Sequence, residues 1–164
     1  AAAYRASTHV VKGNGAGFES AQFPPERDVS SEEPRVGVFV CDCADSIGDV
    51  INVGELVEGA SKIPGVAVAE MVGHGCSPKA LEKIRESIRE NNLNRVVIGG
   101  CSPRTHQTVF QDTLRKAGLN KYLVEIANIR DQAAWVHRDN PKGAAEKTLA
   151  LLRMAVAGVK SSHS

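Results

Sequence analysis

The sequence predicts an α/β protein: a three-layer, Rossmann-like parallel sheet of about four strands with helices on both faces. Three observations lead there. From Arg35 onward, strand-like and helix-like stretches alternate in regular punctuation, the pattern that builds parallel sheets with crossover helices. The apolar residues, 42% of the chain, are Val, Ile, Leu and Ala rather than aromatics at 4%, which suits strands buried on both faces. Two consecutive units also read alike. Gly75-Cys-Ser-Pro-Lys79 ends in Leu93-Asn-Arg95, and Gly100-Cys-Ser-Pro-Arg104 ends in Leu119-Asn-Lys121. A duplicated βα unit is the simplest account.

The elements follow in order. Residues 1–12 have the composition of a helix end. Residues 13–34 carry Gly13, Gly15, Gly17, Pro24-Pro25 and an acidic, serine-containing stretch. That is linker composition, so residues 1–34 are expected to be an N-terminal extension or linker and 35–164 the α/β domain. The extension reads equally as a tail, a connector or a strap across a partner protein. Strand one is Arg35 to Val40. Asn52 and Glu55 form an N-x-x-E variant of the capping box ahead of Leu56 and Val57, and that helix stops before Pro64-Gly65. Strand two runs from Val66 to about Val72. Ser77 is then placed as an N-cap and Pro78 as a first helical residue, with Leu81, Ile84 and Ile88 at helical spacing. Strand three leads to Gly100, and Ser102 and Pro103 repeat the same start. Val109, Phe110 and Leu114 make the next apolar stripe, and Gly118 sits where a C′ glycine belongs. Strand four is Tyr122 to Ile126, and a last helix runs from about Lys142 to Val159. Right-handed crossovers favour the strand order 2-1-3-4.

At 164 residues the chain is long enough for one domain with a real core. Its formal charge of +1 comes from 20 basic and 19 acidic residues without a basic block, which argues against nucleic acid or a charged membrane surface as partner. No apolar run approaches a bilayer span. The first residues lack an initiator Met and a signal-peptide core, so a cytoplasmic protein, or a piece of a longer one, is expected.

Chemistry concentrates in the four cysteines, the chain's whole supply. Cys41 and Cys43 close strand one, Cys76 follows strand two, and Cys101 follows strand three. In a parallel sheet these ends share one edge, the edge at which open α/β sheets bind ligands. In a reducing compartment such a group reads as a metal or iron–sulfur site rather than as disulfides. Cys76 and Cys101 each precede a helix N-terminus, whose partial positive charge favours thiolate. Gly73, Gly75, Gly99 and Gly100 let backbone approach a bulky inorganic group and donate N–H bonds to sulfur. Gly75, Gly100 and Ser102 are therefore cofactor-binding candidates beside the four thiols. Two cysteines two apart at a strand end point the same way, although such a pair can also hold one ligand and turn the other into the core.

Alternatives stay open at this level. A four-cysteine zinc site satisfies the same chemistry, and buried free cysteines also pack as small hydrophobes. A Cys41–Cys43 redox disulfide leaves the other two thiols unexplained. His74 and His106 flank the cysteine turns, where a hydrogen-bonding surface role is the ordinary one. Asn128-Ile-Arg-Asp131 and Trp135-Val-His137 follow strand four at the same edge, with Trp135 either shielding the site or packing. The glycine-rich 13–17 stretch lacks the strand and helix of a nucleotide loop. No catalytic acid–base pair stands out.

The stretch Arg35–Lys160 resembles the N-terminal domain of the heterodisulfide reductase A-subunit family. The resemblance rests on Val36-Gly-Val-Phe-Val-Cys-Asp-Cys43, Cys76-Ser, Leu93-Asn-Arg-Val-Val97, Cys101-Ser-Pro-Arg-Thr-His106, Asn128-Ile-Arg130 and Trp135-Val-His137. It implies an electron-transfer module of an oxidoreductase complex that carries one iron–sulfur cluster, a [4Fe-4S] cluster, on Cys41, Cys43, Cys76 and Cys101. FAD is expected on a partner domain or chain, and the partners are flavin- and iron–sulfur-containing subunits of that complex. The other class kept in view is a non-redox scaffold or adaptor with a structural zinc site or no metal. Two departures from the family pattern stand out: Ala44 replaces a glycine after the second cysteine, and Ala133 stands where members often carry a further cysteine.

Overall fold

A computed structural model of the chain describes residues 23–162. Strands β1 (Val36–Val40), β2 (Val66–Met71), β3 (Arg95–Gly100) and β4 (Val124–Asn128) form one parallel sheet in the order β2-β1-β3-β4. This is the order that right-handed crossovers dictate. Central strands β1 and β3 are buried at every residue, whereas the edge strands β2 and β4 are not. Helices α1 (Val53–Ser61) and α4 (Pro141–Lys160) cover one face, and α2 (Pro78–Glu90) and α3 (Pro103–Lys116) the other. Phe39, Ile98, Leu114 and Leu152 are among the fully buried side chains of the core. Gly99 admits α4 closely, since a Cβ there would lie 3.1 Å from Leu152.

Local chemistry sets the helix ends. Asn52 accepts from the Glu55 N–H at 3.3 Å, and its amide donates to the Glu55 carboxylate at 2.9 Å, a side-chain form of the reciprocal cap. Ser77 accepts from the Ala80 N–H at 3.3 Å. Gly118 follows α3 with φ +80°, the left-handed conformation a C′ glycine supplies.

Two expectations need correction. Ser102 makes no side-chain cap bond, because the Thr105 N–H that its hydroxyl would meet is already bonded to the Ser102 carbonyl at 3.0 Å. His106 then leaves helical geometry at φ −138°. Strand β4 starts two residues later than its apolar run, because an Asn120 turn takes the N–H groups of Tyr122 and Leu123. The stretch after Asn128 forms a short π-type turn, Arg130–Ala134.

Residues 1–22, including the helix end and the glycine-rich stretch, lie outside the described residues. Residues 23–34 contain no helix or strand, as their composition predicts, and loops of this same chain hold them. Val29 is fully buried. The Arg27 N–H donates to the Gly118 carbonyl at 2.8 Å, and its guanidinium reaches Asn92 at 2.9 Å. Buried Asn94 donates to Glu32 and to the Glu33 carbonyl, and accepts from the Arg35 N–H at 2.7 Å. All these contacts lie at the N-terminal edge of the sheet. The opposite edge is left to the cysteines.

Candidate metal centre

Because β1 is central, its C-terminal loop sits between the ends of β2 and β3. The Cys41 N–H donates to the Gly99 carbonyl at 2.7 Å on one side. On the other, the N–H groups of Asp42 and Cys43 share the Gly73 carbonyl at 3.0 and 3.2 Å. The chain turns sharply here: Cys43 has φ 45° and Ala44 φ 42°, a left-handed pair that costs non-glycine residues free energy. Strand alternation therefore does not make the two cysteines face one side, as the spacing rule implied. The turn sets the two thiols close enough for each to shift the other's titration.

Cys41 is 4% exposed and belongs to the hydrophobic core, while Cys43, Cys76 and Cys101 are half-buried around it. The Cys41 sulfur lies in a cradle of two glycines. A Cβ on Gly75 would come within 2.5 Å of it, and one on Gly100 within 3.1 Å. The Gly75 backbone favours the Cys41 thiolate, against the larger effects that raise this thiol. Both glycines thus lie against the Cys41 sulfur. Ser102 caps nothing with its side chain and lines the neighbouring groove between α3, β4 and α4.

The thiols feel one another. Cys41 is pushed well up, first by its bond to Cys43, then by burial and by the Cys43 charge. Cys43 falls to about 6, chiefly because Cys41 donates to its thiolate; His74 and Arg130 help, and burial and Asp42 oppose. Burial raises Cys101, and the charges of Cys43 and Cys76 add to the rise, whereas Arg130 opposes it. Every thiol thus has at least one other within electrostatic reach, and all four lie at the C-terminal edge. Among the described residues, no three His, Cys, Asp or Glu side chains stand where they could grip a single metal ion. His106 sits at the helix distortion, half-buried.

Arg130 was missed as a site residue. Its Nε donates to Asp131 at 2.9 Å, and its guanidinium stacks 4.7 Å from the centre of the Trp135 ring. Trp135 is 51% exposed, so it neither seals the site nor packs in the core; it backs Arg130. The signal was present as the Asn128-Ile-Arg phrase, but nothing in the spacing said that the Arg charge bears on Cys43 and Cys101. Ala133 is fully buried inside the same turn.

Fold and site together define a doubly covered α/β domain with a thiol-lined strand-end site. No protein-family model matches the chain. It is 45% identical over 132 residues to the A-subunit of the H(2):CoB-CoM heterodisulfide,ferredoxin reductase of Methanothermobacter marburgensis, covering 80% of this chain and 20% of that protein. It is 45% identical over 136 residues to an iron-sulfur A-subunit of the CoB--CoM heterodisulfide reductase of Methanopyrus kandleri, covering 83% and 21%. The A-subunit of the ferredoxin:CoB-CoM heterodisulfide reductase of Methanosarcina mazei is 45% identical over 123 residues, covering 75% and 16%. The chain is a homologue of one segment of the heterodisulfide reductase A-subunit. It spans about a fifth of the length of the curated relatives it matches. Among the described residues, no helix is long and apolar enough to cross a membrane.

Proposed function

We propose that this chain is the N-terminal, electron-transfer module of a cytoplasmic heterodisulfide-reductase-like complex. Cys41, Cys43, Cys76 and Cys101 hold one [4Fe-4S] cluster at the C-terminal edge of the sheet. The observation that carries the proposal is the placement of the four cysteines on the loops that follow β1, β2 and β3, all at one edge of the parallel sheet. The donor set fits an iron–sulfur cluster: thiolates supply its ligands, backbone N–H groups its hydrogen bonds, and a partly buried edge its shielding. The name of the Methanopyrus relative, which calls it an iron-sulfur protein of the reductase, points the same way. When bound, the cluster supplies one-electron transfer.

The chain's own residues have simpler tasks. Cys41 anchors from the core side, Cys43, Cys76 and Cys101 close from the rim, and Gly75 and Gly100 keep side chains out of the sulfur's space. FAD belongs to a partner domain or chain, and the partners are flavin- and iron–sulfur-containing subunits. The module turns over no substrate alone.

Anaerobic purification followed by iron, sulfide and zinc analysis tests this. The expected product is brown, contains iron and acid-labile sulfide, and bleaches with dithionite. Zinc in stoichiometric amount without sulfide would mean a scaffold instead. Cys101→Ser keeps the shape of the turn but offers iron a poorer ligand. It should lose or alter the cluster signal, leave the sheet folded and slow electron flow through the reconstituted complex. Unchanged iron content and flow would reduce Cys101 to a packed thiol.

A further inference from the structure

We propose that Asn94 and Arg95, at the start of β3, form a two-ended latch. They hold the strap of residues 27–35 and the turn after α4 together, so that loosening one segment loosens the other. The latch holds with or without the cluster proposed above. Arg95 is a buried cation without a carboxylate partner. It is 4% exposed at the first position of a central strand, and among the described residues no carboxylate lies within ion-pair distance of it. A buried charge is unfavourable unless it is paired or well hydrogen-bonded. Here the hydrogen bonds go to backbone. Nη1 donates to the Asn94 carbonyl at 2.9 Å and Nη2 to the Ser162 carbonyl at 3.1 Å, while Nε has no partner among the described residues.

These bonds join two segments that are far apart in the chain. Ser162 closes the turn that follows α4, where the N–H groups of Ser161 and Ser162 donate to the Gly158 and Val159 carbonyls at 3.1 and 3.2 Å. The strap is held from the same two residues of β3 and its approach. The Asn94 side chain binds Glu32, the Glu33 carbonyl and the Arg35 N–H. The N–H groups of Asn94 and Arg95 both donate to the Arg35 carbonyl, at 3.1 and 3.3 Å. An unbroken path therefore runs from Glu32 through Asn94 to the Arg95 guanidinium and on to Ser162.

The buried charge couples the two ends. Burial works against the Arg95 cation, and the Glu32 carboxylate, which belongs to the strap, supports it. When the strap lifts, that support leaves and the guanidinium gains by turning to water, which frees the Ser162 carbonyl. When the turn lifts, the guanidinium loses a charge-assisted hydrogen bond, stronger than a neutral one, and follows it into solvent. The Asn94 carbonyl is then released and the strap's anchor loosens. Coupling of this kind is reciprocal. The latch lies at the N-terminal edge of the sheet, so whatever draws the strap away loosens the end of α4 and leaves the cysteine edge as it is.

Amide hydrogen exchange of the full chain, read residue by residue by NMR, tests the latch from both ends. Asn94→Ala weakens the strap's anchor. Arg95→Met removes the guanidinium and keeps an apolar stem, a kind of change that buried charges tolerate. Asn94→Ala should speed exchange of the Ser161 and Ser162 amides, and Arg95→Met that of the Arg27 and Glu32 amides, each by roughly tenfold. The Val97 and Ile98 amides of β3 should accelerate less. Equal acceleration of Val97 and Ile98 marks a general loss of stability and overturns the latch. So does a variant that speeds its own side alone: Asn94→Ala the strap without the turn, or Arg95→Met the turn without the strap. If one variant does not fold, the other decides by the same criterion.

Discussion

The sulfur of Cys41 rests against Gly75 so closely that a Cβ on that glycine would lie 2.5 Å from it. Real Cβ atoms do not approach so near, and a Cβ on Gly100 would also crowd the same sulfur, at 3.1 Å. The two glycines are therefore part of the site's shape. Sequence repeats placed them in equivalent turns, and the structure shows both turns meeting one sulfur.

Gly75→Ala is expected to push the Cys41 sulfur out of its cradle. Overpacking of this kind costs about 1–3 kcal/mol, so the urea midpoint of the metal-free chain should fall. Iron bound per chain after reconstitution should fall with it. A variant with wild-type midpoint and wild-type iron content would mean that the cradle does not matter.

The metal-free, reduced chain should show one early-titrating thiol. Cys43 sits at about 6 because Cys41 donates to its thiolate, and thiolate is the reactive form. Iodoacetamide labelling of Cys43 should therefore rise through a midpoint near pH 6, with Cys41 and Cys101 labelled only at higher pH. A lowered thiol pKa contributes stability that is present above the unfolded value and lost as pH falls through about 6. The raised Cys41 and Cys101 act oppositely: their contribution is present below the unfolded value and lost as pH rises through their folded values. Peptide-resolved mass spectrometry across pH 5 to about 9 reads the labelling order.

Much of this was legible in the sequence because it depends on local rules. Strand order follows from crossover handedness, and the caps at Asn52 and Ser77 and the C′ glycine at 118 follow from side-chain reach and allowed φ. The misses have two causes: competition for backbone N–H groups close by in the chain, and partners far along it. Strand β4 slid because Asn120 captured the N–H groups ahead of it. Ser102 lost its cap to its own carbonyl. Arg130 follows a residue tied to the Cys101 turn only because Ile129 pairs with Gly100. Residues 23–34 read as linker because their composition carries no hint that Asn94 would bind them. Placement of four cysteines at strand ends was visible; the left-handed turn that joins Cys41 to Cys43 was not.

Ala44 is exposed with φ 42°, so its methyl group packs little and strains the backbone. Ala44→Gly relieves a left-handed penalty of about 1–2 kcal/mol, offset in part by the greater freedom of glycine when unfolded. A net gain of up to about 1 kcal/mol is expected, read as a higher urea midpoint at unchanged slope. The reactivity of Cys43 should persist, because the turn keeps its shape. A loss of stability would mean that the left-handed geometry at Ala44 is not occupied.

Asn94 ties the first described residues to the domain, and its removal should release them. The side chain is fully buried and makes three hydrogen bonds, to Glu32, the Glu33 carbonyl and the Arg35 N–H. Asn94→Ala leaves the Arg35 N–H and the Glu33 carbonyl without these partners, at a cost of about 2–3 kcal/mol. The effect should be local as well as global. Hydrogen exchange in residues 26–33 should accelerate before that of β1 and β3, because Arg27 and Val29 are held beside the same loop. The cysteine edge lies at the other end of the sheet, so Cys43 labelling should be unaffected at temperatures where the variant is folded. If exchange in 26–33 stays slow while the core loosens, the strap is held by Val29 packing and not by Asn94.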